Sequence, residues 1–160
     1  MKITIVPILP SEGLFVEPLR LLPNLQNLRA LKVNPACTDV MSAPVLSQIV
    51  GLESLTVVDP NRAILDLLPN WLSRLSGTLR ELHLLVSDFV STDVPLGDPL
   101  RKGNCGSITP GVLRAIQPLT IQLQSFSLGL SYSLEDGHVL QFLSNLPRLQ
   151  NLQLRYYWVS

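Results

Sequence analysis

Cysteine, histidine, aromatic residues and net charge are all scarce in this 160-residue chain, and each scarcity excludes something. The two cysteines, Cys37 and Cys105, lie in unrelated local settings and form no disulfide framework. The two histidines, His83 and His138, show no Cys/His spacing that fits zinc, so no metal and no cofactor is expected. Only 15% of residues are charged, and twelve basic and twelve acidic side chains cancel. That balance leaves no basic footprint for nucleic acid or for an anionic membrane surface. No apolar run approaches the roughly 18 residues of a membrane span. The opening MKITIVPILP is broken by Pro7 and closed by Pro10, too short for a signal-peptide core. No Asn-x-Ser/Thr sequon occurs. Together these absences point to an intracellular protein, cytoplasmic or nuclear.

Apolar residues, by contrast, make up 46% of the chain, which excludes intrinsic disorder and suffices for one domain with a sizeable core. Leucine alone supplies 34 residues, and its spacing is periodic. The pattern L-x-x-L-x-L recurs as LRALKV (Leu28, Leu31, Val33), LESLTV (Leu52, Leu55, Val57) and LRELHL (Leu79, Leu82, Leu84). It returns as LQSFSL (Leu123, Phe126, Leu128) and LQNLQL (Leu149, Leu152, Leu154), and Ile3 with Ile5 makes a half-copy. Starts at 28, 52, 79, 123 and 149 give spacings of 24, 27, 44 and 26 residues. Three of the four fall in the leucine-rich repeat range. A competing register for the first copy, led by Leu25, would turn Lys32 inward, so the register led by Leu28 is preferred. The last two apolar positions of each copy alternate as in a strand, and the leading leucine fills the core at the turn into it.

Helix-period segments separate the strands. Residues 62–75 put Ile64, Leu68, Trp71, Leu72 and Leu75 on one face, with Gly77 expected as a left-handed stop. Residues 136–146 begin at Asp136, read as the N-cap, and point Val139, Leu140, Leu143 and Leu146 inward. Shorter versions are Leu46, Ile49 and Val50; Val112, Leu113 and Ile116; and Phe15, Leu19 and Leu22. Units of one strand and one helix cannot bury their apolar faces alone and must stack. The expected fold is α/β: a single leucine-rich repeat solenoid over residues 1–160, of about six strands, a segment of a ribonuclease-inhibitor-like horseshoe. Its parallel strands would line the concave side and its helices the convex side.

The 44-residue interval holds about 17 residues more than its neighbours, in VSDFVSTDVPLGDPLRK, residues 86–102. One reading is an irregular surface insertion, 86–106, of the kind solenoids tolerate between repeats. The other is a retained intron of 17 codons whose opening Val86-Ser87 could be written GTGAGT; removal would leave a continuous repeat, LRELHLLGNCGSITPGVL.

The segments NCGSITPGVLRAI and SYSLEDGHVLQFL resemble the cysteine-containing subtype of leucine-rich repeat. Cys105, Ile108, Thr109 and Leu113 match in the first, with Pro110 at the acidic position; Leu134 and Asp136 match in the second, where Ser131 replaces the cysteine. The run from LLPNWLSRLSGTLRELHL through LQLRYY is similar to the repeat regions of fungal F-box-like proteins. The resemblance spans about residues 60–157. It implies a substrate-recognition module of a ubiquitin-ligase receptor, in which an upstream F-box docks the Skp adaptor. No F-box helix triplet precedes the first repeat here, so the adaptor is expected only of a longer form. Ile3 and Ile5 at one end and Tyr156, Tyr157 and Trp158 at the other read as uncapped edges, consistent with a fragment. The alternatives are a truncated gene product and an independent leucine-rich scaffold with no ligase role.

No enzymatic site is expected. Cys105 between Gly103 and Gly106 reads as a small structural residue, Gly103, Gly106 and Gly111 fit no phosphate loop, and no Ser-His-acid set can be assembled from the spacing. Trp71 reads as core. Strand alternation instead points a set of polar residues onto the concave surface: Lys32, Asn34, Ser54, Thr56, Glu81, His83, Ser125, Ser127, Asn151, Gln153 and Arg155. That surface is small, polar and mixed in charge, which suits a protein partner and not nucleic acid. Sequencing full-length message across the locus separates the two readings of residues 86–102. Mature message without those codons, continuing upstream into an F-box, is the outcome the intron reading predicts; message that retains them excludes it.

Overall fold

Each leucine pattern becomes a strand, and the strands join in chain order. The computed structural model describes residues 1–5, 21–33, 43–85, 108–129 and 134–155. Phe15, Leu19, Asn34, Cys37, Cys105, the 86–106 segment and Tyr156, Tyr157 and Trp158 fall outside those residues. The strands are β1 (Lys2–Ile5), β2 (Ala30–Val33), β3 (Ser54–Val58), β4 (Glu81–Leu85), β5 (Ser125–Gly129) and β6 (Asn151–Arg155). They form one six-stranded sheet in the order β1-β2-β3-β4-β5-β6, every pair parallel. The order never reverses, so the sheet has no switch-point crevice of the kind that holds nucleotides in doubly wound folds. Among the described residues four α-helices accompany the strands: α1 (Ala43–Leu46), α2 (Arg62–Leu75), α3 (Pro110–Ile116) and α4 (Asp136–Leu143).

The register aligns the repeat positions. Leu31, Leu55, Leu82, Phe126 and Leu152 stand opposite one another, as do Val33, Val57, Leu84, Leu128 and Leu154. The leading leucines Leu28, Leu52, Leu79 and Leu123 are buried, whereas Leu25 is 37% exposed, as the Leu28 register requires. The helices cover this apolar face of the sheet: Leu46, Leu68, Trp71, Leu113, Ile116 and Phe142 share one core with the strand leucines. Burial of each such side chain contributes about 1.5–3 kcal/mol.

Helix α2 occupies the span expected from its periodicity, with Asn61 as its cap accepting the Ile64 N–H at 2.9 Å. Pro69 sits inside α2, a position that costs about 3 kcal/mol in an isolated helix. The burial of Leu68, Trp71, Leu72 and Leu75 around it outweighs that cost. Trp71 is core, and its Nε1–H donates to the Ile49 carbonyl at 2.9 Å. Thr109 caps α3 by accepting the Val112 N–H, and Pro110 takes the first helical position, where a missing N–H costs nothing.

Four expectations need correction. Gly77 is not a left-handed stop; α2 runs out into a turn in which the Leu75 carbonyl accepts the Thr78 and Leu79 N–H groups. Among the described residues the glycine with positive φ is Gly51, at 74°. Val50, just before it, is 57% exposed rather than inward, because the chain turns outward once Ile49 is buried. The cap of α4 is Glu135, not Asp136, and its backbone N–H meets His138 Nδ1 at 3.4 Å. The buried face of α4 is set by Phe142, whose ring lies 5.1 Å from that of Phe126. With Val139 and Phe142 inward, Leu140 falls about 100° past Val139 and is 65% exposed. Phe142→Ala is therefore expected to cost about 3–5 kcal/mol and Leu140→Ala to stay within about 0.5 kcal/mol, measured by urea denaturation. Equal costs would overturn this helix register.

Candidate functional site

The register that stacks the leucines on one face stacks the alternate residues on the other. One row across the sheet is Thr4, Lys32, Thr56, His83, Ser127 and Gln153; the row beside it is Lys2, Ala30, Ser54, Glu81, Ser125 and Asn151. Nine of the eleven candidate residues fall on these two rows. Of the others, Arg155 pairs through its backbone with Gly129 one position further along, and Asn34 lies outside the described residues. Lys32, Glu81, Asn151 and Gln153 are exposed, while Ser54, Thr56, His83 and Ser125 are half-buried. Ser127 retains only 5% of its surface.

Ser127 is enclosed by its neighbours in the row. Its hydroxyl lies 2.8 Å from His83 Nδ1 and 3.5 Å from Gln153 Oε1, and His83 Nε2 lies 3.8 Å from Glu81 Oε2. Burial holds the His83 imidazole below its ordinary pKa of 6.5, with the Glu81 carboxylate opposing that shift only in part. The ring is then neutral at pH 7. Its Nε2–H belongs toward the carboxylate, which leaves the Nδ1 lone pair to accept the Ser127 O–H.

A serine, a histidine and a carboxylate therefore do stand together, against the expectation that none could be assembled. The reason is topological: Ser127 is 44 residues from His83 in the chain but is its direct partner across two parallel strands. The arrangement is well suited to bracing. A nucleophile also needs access for an acyl group and a pair of donors for the developing oxyanion. β5 is paired along both edges, to β4 and β6, so the backbone donors beside Ser127 serve the sheet, and Ser127 itself is enclosed.

A hollow of about 260 Å³ opens beside this network, bounded by Lys2, Ala30, Lys32, Ser54, Thr56, Glu81 and His83 among others. Lys2 and Ala30 were not among the expected surface residues. The half-copy Ile3/Ile5 carried the signal for Lys2, since alternation places it and Thr4 on the opposite face. Ala30 occupies the position that Ser54 and Glu81 hold in the next units. His138 lies apart from His83, in the first turn of α4 near Pro110 and Arg114. Among the described residues no group of three His, Cys, Asp or Glu could hold a metal ion, and no helix is long and apolar enough to cross a membrane. No protein-family model matches the chain, and no curated protein matches its sequence.

The lowered pKa of His83 fixes the sign of a pH dependence. An imidazole that titrates lower in the folded state than in the unfolded chain contributes stability above the unfolded value. That contribution is lost as pH falls below about 6.5, where the unfolded state binds the additional proton. Urea midpoints are expected to fall as pH drops below 6.5 in the native protein and to fall less steeply in His83→Asn. Identical slopes would show that His83 does not titrate differently in the two states.

Proposed function

We propose that this chain is a leucine-rich repeat solenoid whose sheet face opposite the helices, the concave side, binds a protein partner, in the manner of the substrate-recognition repeats of an F-box ubiquitin-ligase receptor. The observation that carries the reading is the pair of polar rows. Eleven of their twelve positions carry a hydroxyl, amide, imidazole or charged group and the twelfth is Ala30, although 46% of the chain is apolar. A face of six strands that, among the described residues, is free of helices and of bulky apolar groups suits hydrogen bonding around a few anchors.

Two further features support the solenoid. Every strand neighbours its predecessor in the chain, and the helices lie on one side of the sheet. The resemblance to fungal F-box-like repeats supplies the partner class, a ligase substrate; Skp binding belongs to a longer form carrying an F-box. The role is non-catalytic: the polar row presents side chains to a partner, and the His83 brace holds them in place.

Photo-crosslinking tests this. A benzophenone amino acid replacing Thr56 is expected to trap a protein partner from cell extract, and the same group replacing Gln141 on α4 is not. Asn151→Ala and Gln153→Ala should each weaken capture about three- to tenfold while leaving stability within about 0.5 kcal/mol. Trapping from Gln141 alone would place the binding surface on the helices and overturn the reading.

A further inference from the structure

We infer that the hollow over Ala30 receives one acidic side chain of the partner. The inference rests on the partner-binding reading of this face and deepens it by naming the chemistry of the anchor. The hollow exists because Ala30 stands between Lys2 and Ser54 in its row and offers only a methyl group where its neighbours offer longer side chains. Lys32, two residues along β2, and its partner Thr56 close the next side.

These walls are rich in unspent donors. Lys2 and Lys32 form no ion pair among the described residues, and the Ser54 and Thr56 hydroxyls form no side-chain hydrogen bond among them. The carboxylate on the rim, Glu81, has His83 Nε2 at 3.8 Å. Two ammonium groups and two hydroxyls around an apolar floor call for an anionic group that only accepts hydrogen bonds, carried on a short apolar stem. An aspartate or glutamate side chain meets that description. A neutral amide of the same shape would leave both lysines uncompensated. A nucleic-acid backbone would require a longer basic track than two lysines in a chain of zero net charge.

The test is a titration of the whole ¹⁵N-labelled chain at low salt with doubly capped glutamate, N-acetyl-glutamate α-amide, and with doubly capped glutamine as the neutral control. Saturable shifts at the Ala30, Lys32 and Ser54 amides are expected with the glutamate, and at least about tenfold weaker binding with the glutamine. Lys32→Gln should abolish saturation. Ala30→Leu should do the same while keeping both lysines, by filling the hollow; the spectrum of each variant reports whether it is folded. Glu81→Gln should tighten binding by removing the one carboxylate on the rim. Equal binding of glutamine, or undiminished binding by a folded Ala30→Leu variant, overturns the proposal. Absence of saturation while crosslinking from Thr56 persists also overturns it, and leaves the partner-binding face standing. Saturation without any crosslinked partner overturns both the partner-borne acid and the binding reading itself.

Discussion

A single carbonyl sets the start of each strand after β1. The carbonyls of Met1, Arg29, Glu53, Arg80 and Gln124 each accept two consecutive N–H groups from the next unit, at 2.7 to 3.3 Å. The acceptor always lies just ahead of its own strand, and the two donors always straddle the start of the next. Five repetitions of one junction lock the register of the whole sheet, across spacings as different as 24 and 44 residues. A slip of one residue at any junction would turn a leucine row toward water and a polar row into the core. The preceding leucine acts with the carbonyl: Leu28, Leu52, Leu79 and Leu123 are buried immediately before it, so the chain is anchored on the apolar side just where the hydrogen bonds form.

The site is a by-product of the same lock. Once the leucines align, the intervening residues have no freedom to choose their neighbours, and side chains from distant units become adjacent pairs. His83 meets Ser127 and Glu81 in this way, and Ala30 comes to lie between Lys2 and Ser54. The polar groups that are most enclosed satisfy one another, as buried polar groups must. Ser127 turns its hydroxyl to His83, whose burial keeps it neutral and able to accept it. The lysines at the β1–β2 end remain exposed and form no ion pair among the described residues. The face is thereby divided into a braced part and an open part. The ion pair between Arg29 and Glu53, at 3.5 Å and well exposed at the strand starts, contributes little to either.

Much of this was legible in the sequence because the repeat is written twice, once in the leucines and once in what lies between them. The strands, their leading leucines, the span of α2 and the rows of alternate residues follow from periods of two and 3.6. What escaped depends on pairings the period does not encode. Leu140 and Phe142 both suit an apolar helix face, and only the Phe126 ring across the core decides between them. Gly77 and Gly51 both follow helical segments, but only the second takes a positive φ. The Ser127–His83–Glu81 contact is invisible for a related reason: spacing along the chain says nothing about which units become neighbours until the strand order is known. The hollow over Ala30 is the subtlest case, because its signal is a missing side chain within a row and not a residue with recognisable chemistry.

The proposed curvature has a physical origin in unequal widths. Strands stand about 4.8 Å apart, whereas a helix with its side chains is about 10 Å across. In the proposed solenoid, stacking one strand and one helix per unit, with the described helices on one side, would spread the helix side and close the sheet side. The units relieve this unequally, since α1 has four residues, α3 seven, α4 eight and α2 fourteen. A closing face needs small side chains, and Ala30, Ser54, Thr56, Ser125 and Ser127 supply them along both rows. Small polar groups, however, give little binding energy on their own. Under the proposed partner-binding reading, affinity on such a face would come from the few positions where a charge or a cavity departs from the rule, and the hollow between Lys2, Lys32 and Ala30 combines both.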